Sequence, residues 1–317
     1  MISLYMDAIH LPSPMTPIGA LFIFFTFSLG ACLGSFTNVL IHRIPLDMSV
    51  VHPPSACPQC RREIRWFENI PILSYLVLRG RCRGCKTSIS SQYPVIEFII
   101  GVWSFALGVR VLWPMFSQPE QWVNTPSSLL PYASQWIWYT LFVSALIAIA
   151  WIDLRYTFVP DEISLSMIWI GLIGAFLNPV NLPLELFFGA LFGYLALYAV
   201  RWLGTLYYGR EAMGLGDAKL LAMIGIFLGW RALPWVLMGA AIQGLIAAMI
   251  ALSFTRVTGR SNLLTMTYEE LAERFGEDVD PDQSVMLVMP FGPFLCLAAF
   301  EVLMIGVDPI VDALALS

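Results

Sequence analysis

Apolar residues in this chain fall into eight long runs, at about 18–41, 93–113, 136–152, 162–177, 183–203, 218–230, 235–254 and 286–306. Runs of this length and apolarity predict helices that cross a lipid bilayer. The expected fold class is therefore an all-α polytopic membrane protein with about eight transmembrane helices. The first run is too long for the core of a cleaved signal peptide and is expected to stay as a span. Eight crossings would put both termini on one face. The 218–230 run is the weak one, because thirteen residues of helix cannot cover about 30 Å of hydrocarbon. A start nearer Ala212 or Gly214, already at membrane depth, would bring Asp217 into a locally wet pocket.

Polar segments between the runs set the orientation. The segment 42–92 holds eight Lys or Arg, from Arg43 to Lys86. Arg155, Arg201, Arg210, Arg256, Arg260 and Arg274 fall in or beside loops on the same side, whereas the opposite loops hold little beyond Arg231, with Arg110 near a span end. By the positive-inside rule these polar loops face the cytoplasm and both termini lie outside. Residues 114–134, rich in Pro, Ser and Gln, read as an external loop. Residues 255–285 read as an acidic cytoplasmic segment, with helical periodicity from Tyr268 to Phe275. The expected organisation is a first transmembrane helix within 1–41, a cytoplasmic loop domain at 42–92, and a helical bundle at 93–317.

Composition agrees: 58% of residues are hydrophobic and 12% charged, against about 25% charged in soluble domains. The net charge of −5 is unevenly spread and says little about partners. The lipid bilayer is the expected environment, and no nucleic-acid partner is expected. Small residues in Gly171–Gly174, Gly189–Gly193 and Gly239 permit close helix packing.

Two groups of residues carry candidate chemistry. Cys57 and Cys60 form one CxxC pair, and Cys82 and Cys85 a second, with 21 residues between the pairs. Four thiolates at this spacing suit a tetrahedral structural zinc that folds the 42–92 loop. Two disulfides or four free thiols are the alternatives, and a reducing cytoplasm argues against disulfides. The remaining cysteines, Cys32 and Cys296, lie in apolar runs and read as small buried hydrophobes. The second group is a carboxylate pair. Asp153, in Trp151-Ile152-Asp153, ends one apolar run, and Asp217, in Gly214-Leu215-Gly216-Asp217, opens another. Charges near membrane depth mark functional sites, and two on one side of the membrane are a candidate proton-sharing pair. The competing reading makes Asp217 the cap of a helix beginning at Ala218 and Asp153 a membrane boundary. Asp161 reads as a cap, Glu97 and Glu301 as further carboxylates within runs, and His42 and Arg43 as interfacial anchors. Glu68-Asn69-Ile70-Pro71 reads as a turn, and Arg79-Gly80-Arg81 as a basic surface facing anionic headgroups.

Taken together, Gly34-Ser-Phe-Thr-Asn-Val-Leu-Ile-His-Arg-Ile-Pro45, the two CxxC pairs, Glu68 to Leu76, Ile89-Ser90 with Tyr93-Pro94, Trp151 to Arg155 with Val159 to Ser164, Gly214 to Leu221, and Pro290 to Phe294 resemble the type IV prepilin peptidases. The resemblance covers nearly the whole chain. It implies a bacterial inner-membrane enzyme with its active site facing the cytoplasm. Such an enzyme cuts the basic leader from type IV prepilins and type II secretion pseudopilins. It then methylates the new N-terminal residue, commonly phenylalanine, with S-adenosylmethionine. Asp153 and Asp217 match the family's catalytic pair, one as general base toward water and the other as acid. The methyl-transfer activity is implied for the first loop as a region, without assigned residues. Residues 255–285 look longer and more acidic than the linker expected before Pro290. Two other readings compete. One is a peptidase-only GxGD intramembrane protease, which would lack the cysteine loop. The other is a proton-coupled transporter, which would more readily show paired halves.

Overall fold

Each of the eight apolar runs contributes a helix among the described residues. The computed structural model describes residues 17–113, 129–177, 183–209, 213–258, 265–267, 285–287 and 290–307. Its helices are α1 (Pro17–Arg43), α2 (Leu73–Val77), α3 (Gln92–Val111), α4 (Leu129–Tyr156), α5 (Asp161–Leu177), α6 (Pro183–Tyr208), α7 (Leu215–Leu228), α8 (Leu233–Thr258) and α9 (Gly292–Ile305). Strands β1 (Thr265–Thr267) and β2 (Val285–Leu287) pair antiparallel with Met266 opposite Met286, the one sheet among the described residues. They bracket the acidic segment, whose expected helix at 268–275 lies outside the described residues.

Helix ends follow local chemistry. Pro17 opens α1, and Ile44-Pro45 cannot continue it. Thr157, in the left-handed region at φ 57°, ends α4. Asp161 and Glu162 occupy the first turn of α5, where the helix dipole favours anions. Helix α4 begins at Leu129, so residues 129–134 belong to a helix and not to the expected external loop.

The expected count of eight spans is not established by helix length. Among the described residues, five helices (α1, α3, α4, α6 and α8) are long and apolar enough to cross a membrane. Helices α5, α7 and α9 have 17, 14 and 14 residues, which is about 25, 21 and 21 Å. Helix α7 does not extend back to Ala212. Protein encloses it: Ala218 and every residue from Leu220 to Phe227 are buried. A helix walled by other helices need not match the lipid thickness.

Two contacts hold α7 in place. Phe227 stacks on Phe142 of α4 with ring centres 4.4 Å apart and planes 11° off parallel, and Trp138 lies 4.6 Å away. On the other side α6 meets α7 backbone to backbone. A Cβ on Gly189 would run into the Gly225 carbonyl, one on Gly225 into the Gly189 carbonyl, and one on Gly193 into Leu221 O. Close helix approach through small residues replaces the missing hydrophobic drive within lipid. Replacing Gly225 with Val is expected to destabilise the chain by about 1–3 kcal/mol or more, as overpacking does. Thermal unfolding in detergent checks this, with Leu195→Val on the exposed face of α6 expected to leave the midpoint unchanged.

Candidate functional site

Asp153 sits one turn before the end of α4 and is 4% exposed. Asp217 lies in the first turn of α7. The register of the two helices brings them level. From the stacked Phe142–Phe227 pair, Asp153 is eleven residues along α4 and Asp217 ten residues back along α7. At about 1.5 Å per residue, the carboxylates lie about 15–17 Å along their helices from the stack, and they are within electrostatic reach of one another. The helix begins at Leu215 after an extended Gly214 that makes no side-chain cap. Asp217 is therefore inside the first turn and is not the cap of a helix starting at Ala218.

Helix α9 closes the pair from a third direction. The Gly292 N–H donates to the Asp153 carboxylate. A Cβ on Gly292 would collide with Asp153 Oδ2 and lie 3.5 Å from Val159 Cγ2. Val159 also backs the GxGD turn, since a Cβ on Gly216 would come within 3.0 Å of Val159 Cβ. Both glycines are needed for close approach rather than for positive φ. At the loop between α4 and α5, Lys219 Nζ pairs with both Asp161 oxygens at 2.6 and 2.7 Å. This ion pair ties the start of α5 to the first turns of α7. Asp161, read from sequence as a cap, is thus a partner of Lys219.

Cys296, one turn beyond Gly292, is buried within electrostatic reach of both aspartates. Cys32, expected to be buried, is exposed on α1. Neither Glu97 nor Glu301 joins the pair. Glu97 accepts the Ile72 N–H at 2.7 Å, and Glu301 accepts from Gln243 Nε2 at 2.7 Å. Sequence reading missed Gly292, Val159 and Lys219 as neighbours of the aspartates. The Pro290 to Phe294 stretch was the available signal, but nothing local says which helix it meets.

The four cysteines converge in the loop between α1 and α3. Their sulfurs lie within 4.8 Å of one another, with Cys57 to Cys85 at 3.7 Å and Cys60 to Cys82 at 4.0 Å. A tetrahedral zinc with Zn–S bonds of about 2.3 Å has sulfur edges of about 3.8 Å, so the tetrad fits such an ion. Two knuckles of one design build it. Arg61 N donates to Cys57 O at 2.9 Å, and Lys86 N to Cys82 O at 3.0 Å. Arg61 and Lys86 both take the left-handed conformation, at φ 55° and 61°. The bridges Ala56–Glu63 and Arg81–Ser88 close the two turns alike.

Glu68 buckles the knuckles together. It accepts from Arg62 of the first knuckle at 2.8 and 3.0 Å, from the Arg65 N–H at 3.2 Å, and from Arg83 of the second at 3.4 Å. Burial alone would raise its carboxyl, but the Arg65 amide and the Arg62 guanidinium outweigh that and hold it below its ordinary value. Amides of Cys60 and Gln59 lower the Cys57 thiol to about 6. The Thr87 amide pulls the Cys85 thiol down, yet burial and the three other thiols push it up to about 11. Four crowded sulfurs thus resist losing their last protons unless a cation joins them, which is the behaviour of a metal-ligand set. Arg43, read as an interfacial anchor, turns into this loop instead and donates to Ser49 O at 2.8 Å and Pro53 O at 2.7 Å.

Residues 28–111 match the Bacterial Peptidase A24 N-terminal domain model, and residues 140–249 match the Type IV leader peptidase family model. Among curated proteins, the chain is 34% identical to the Prepilin leader peptidase/N-methyltransferase of Myxococcus xanthus, over 91% of each chain. It is 32% identical to the protein of that name in Pseudomonas aeruginosa, over 90% of this chain and 91% of that one. It is 31% identical to its namesake in Stutzerimonas stutzeri, over 92% and 96%. No solved structure matches the chain.

Proposed function

This chain belongs to the type IV leader peptidase family, and on that premise we propose that it removes the basic leader from type IV prepilins and type II secretion pseudopilins and then N-methylates the new terminus with S-adenosylmethionine. The observation that carries the reading is the convergence of Asp153 and Asp217 at the ends of α4 and α7 under the Gly292 amide. Two carboxylates sharing one confined site work best with a single proton between them. The ionised one takes a proton from water as that water attacks the scissile carbonyl. The protonated one donates its proton to the carbonyl oxygen. The proton taken from water then passes to the leaving amine, while the collapsing gem-diol returns a proton to the second carboxylate and resets the pair. Titration belongs to the pair. The Gly292 N–H holds one carboxylate in position throughout.

Under this reading residues 1–41 carry the first membrane helix, 42–92 the zinc-binding loop, and 93–317 the peptidase bundle. The enzyme sits in the bacterial inner membrane with the aspartates facing the cytoplasm. Cys57, Cys60, Cys82 and Cys85 would hold the zinc, which supplies folding energy to the loop rather than chemistry, since four cysteines leave no open position. The presence of this tetrad argues against a peptidase-only relative.

The test is the purified chain in proteoliposomes with a synthetic prepilin and a labelled methyl donor, read by mass spectrometry. Loss of the leader plus the mass of one methyl group is the expected product. Cleavage without added mass would remove the methyltransferase from the proposal, and an uncut peptide would remove the peptidase. The metal makes a separate prediction. The chain is expected to carry about one zinc per molecule by elemental analysis. The double variant Cys57→Ser/Cys60→Ser is expected to lose it, and residues 42–92 of that variant become sensitive to protease because metal binding and loop folding are one event. A zinc-free, protease-resistant variant would refute the structural role.

A further inference from the structure

A second carboxylate lies buried at the loop-bearing end of the bundle. Glu97, on the second turn of α3, is 7% exposed. Its partners are neutral: the Ile72 N–H at 2.7 Å and the Ser35 hydroxyl of α1. No arginine or lysine pairs with it among the described residues. Ile72 is β-branched yet held at φ 61°, a region such residues rarely occupy and one that clusters at functional sites. One turn along α1 from Ser35, Asn38 is 2% exposed. Its Nδ2 donates to Gly34 O at 3.2 Å and to Tyr93 O at 3.1 Å, while its Oδ1 is buried without a partner. Gly34 lets α1 come this close, for a Cβ there would lie 2.6 Å from Glu97 Cα.

A pin between two helices needs none of these three features together: a buried carboxylate with no cation, a strained amide aimed at it, and an idle buried carbonyl. They share one chemical meaning. The seam has more acceptor positions than donors, since Asn38 Oδ1 is unpartnered and a carboxylate offers about four lone-pair positions of which two are used here. What completes it is a group bearing several N–H bonds and a positive charge.

The seam also lies at the depth of the aspartate pair. Trp103 of α3 packs on Phe300 of α9 with ring centres 4.1 Å apart. Glu97 is six residues below Trp103, and Gly292, which holds Asp153, is eight below Phe300. The two levels therefore differ by about 3 Å.

We propose that Ser35, Asn38, Glu97 and the Ile72 amide form a second site that receives the free α-amine of the cleaved substrate, with Glu97 taking the proton that this amine sheds before methyl transfer. The proposal rests on the methyl-transfer reading above. A new α-amine is largely protonated near neutral pH and is not a nucleophile in that form. Glu97 accepts one N–H proton and Asn38 Oδ1 holds another N–H. The nitrogen lone pair then forms a bond to the methyl carbon of a methylsulfonium donor. The sulfur–carbon bond breaks with its electron pair left on sulfur as a neutral thioether. The product leaves as a secondary ammonium, and Glu97 returns its proton to water.

The test uses the full chain in detergent with a fluorescent peptide carrying the mature N-terminus, and its N-acetylated twin. By fluorescence anisotropy without methyl donor, wild type is expected to prefer the free amine about tenfold, as a charged hydrogen bond predicts, and Glu97→Gln to bind both alike. Methylation of the pre-cleaved peptide is expected to fall about 100-fold in Glu97→Gln, in the range for a lost proton acceptor, and to recover in part in Glu97→Asp and at higher pH. Leader removal stays within about threefold. The site is overturned if Glu97→Gln keeps the amine preference and the methylation rate. It is equally overturned if leader removal and zinc content fall together with methylation, which marks a folding pin. Wild type that binds and cuts but never methylates overturns the methyl-transfer reading itself, and this site with it.

Discussion

Asp153→Asn and Asp217→Asn, made separately, are each expected to lower leader removal by roughly 10³–10⁴-fold, and the double variant is expected to be no worse than either single one. Asparagine keeps the shape of aspartate but can neither accept a proton from water nor deliver one. On the proposed mechanism, each substitution removes half of a device in which one carboxylate is base and the other acid. Residues that act as one unit do not add when removed together. Neither change disturbs packing: Asp153 would keep an oxygen for the Gly292 N–H, and zinc content and unfolding temperature should match wild type. Rates follow from mass spectrometry of a prepilin peptide at saturating concentration. An Asn variant that still cuts within tenfold of wild type would show that the catalyst lies elsewhere. A transporter built on the same two aspartates would have no peptidase activity to lose.

Gly292→Ala should cost about 100-fold in kcat with KM nearly unchanged, although no charge is altered. The methyl group would occupy the place of Asp153 Oδ2. Either the carboxylate rotates away or α9 backs off from α4 and Val159, and both displace a reacting group by about an ångström, a shift that commonly costs two orders of magnitude. Gly239→Ala is the matched control. Its Cβ would meet only Ala298 Cβ at 3.2 Å, on the seam between α8 and α9 and away from the aspartates, so cleavage should stay near wild type. Equal losses in the two variants would mean that α9 as a whole, and not the Gly292–Asp153 contact, sets the rate.

Helix boundaries were legible where sequence punctuates them. The run at 162–177 became Asp161–Leu177, because Pro160 with two acids opens it. The run at 183–203 began at Pro183 as read and continued to Tyr208. Less was legible where apolarity and helicity part company. The 136–152 run grew to Leu129–Tyr156, since Tyr132, Ser134 and Gln135 are polar enough to look like a loop yet fit a helix. The 286–306 run lost its start, because Pro290 and Gly292-Pro293 delay α9 and residues 285–287 pair as a strand.

At the site, both aspartates stood out as charges at the ends of apolar runs, and the cysteines as a spaced tetrad. Their surroundings did not. Gly292 meets Asp153 across 139 residues of chain, and Lys219 meets Asp161 across 58. Such meetings follow from helix register, here fixed by the Phe142–Phe227 stack, and no window of sequence contains it. Arg43 misled for a related reason. At a span end it looks like a headgroup anchor, but the carbonyls of Ser49 and Pro53 lie closer.

The glycine contact between α6 and α7 blurs the line between scaffold and catalyst. Where side chains separate two helices, a bad substitution is absorbed by rotamers and the backbone stays put. Where carbonyl meets glycine, there is no such cushion, and the helix moves as a rod. Gly225 is eight residues, or about 12 Å, from Asp217, and touches neither carboxylate. A lesion there would still reach the reaction through the displacement of α7. In a screen scored by cleavage it would therefore look like a catalytic residue, and only a measurement of where Asp217 has gone would tell the two apart.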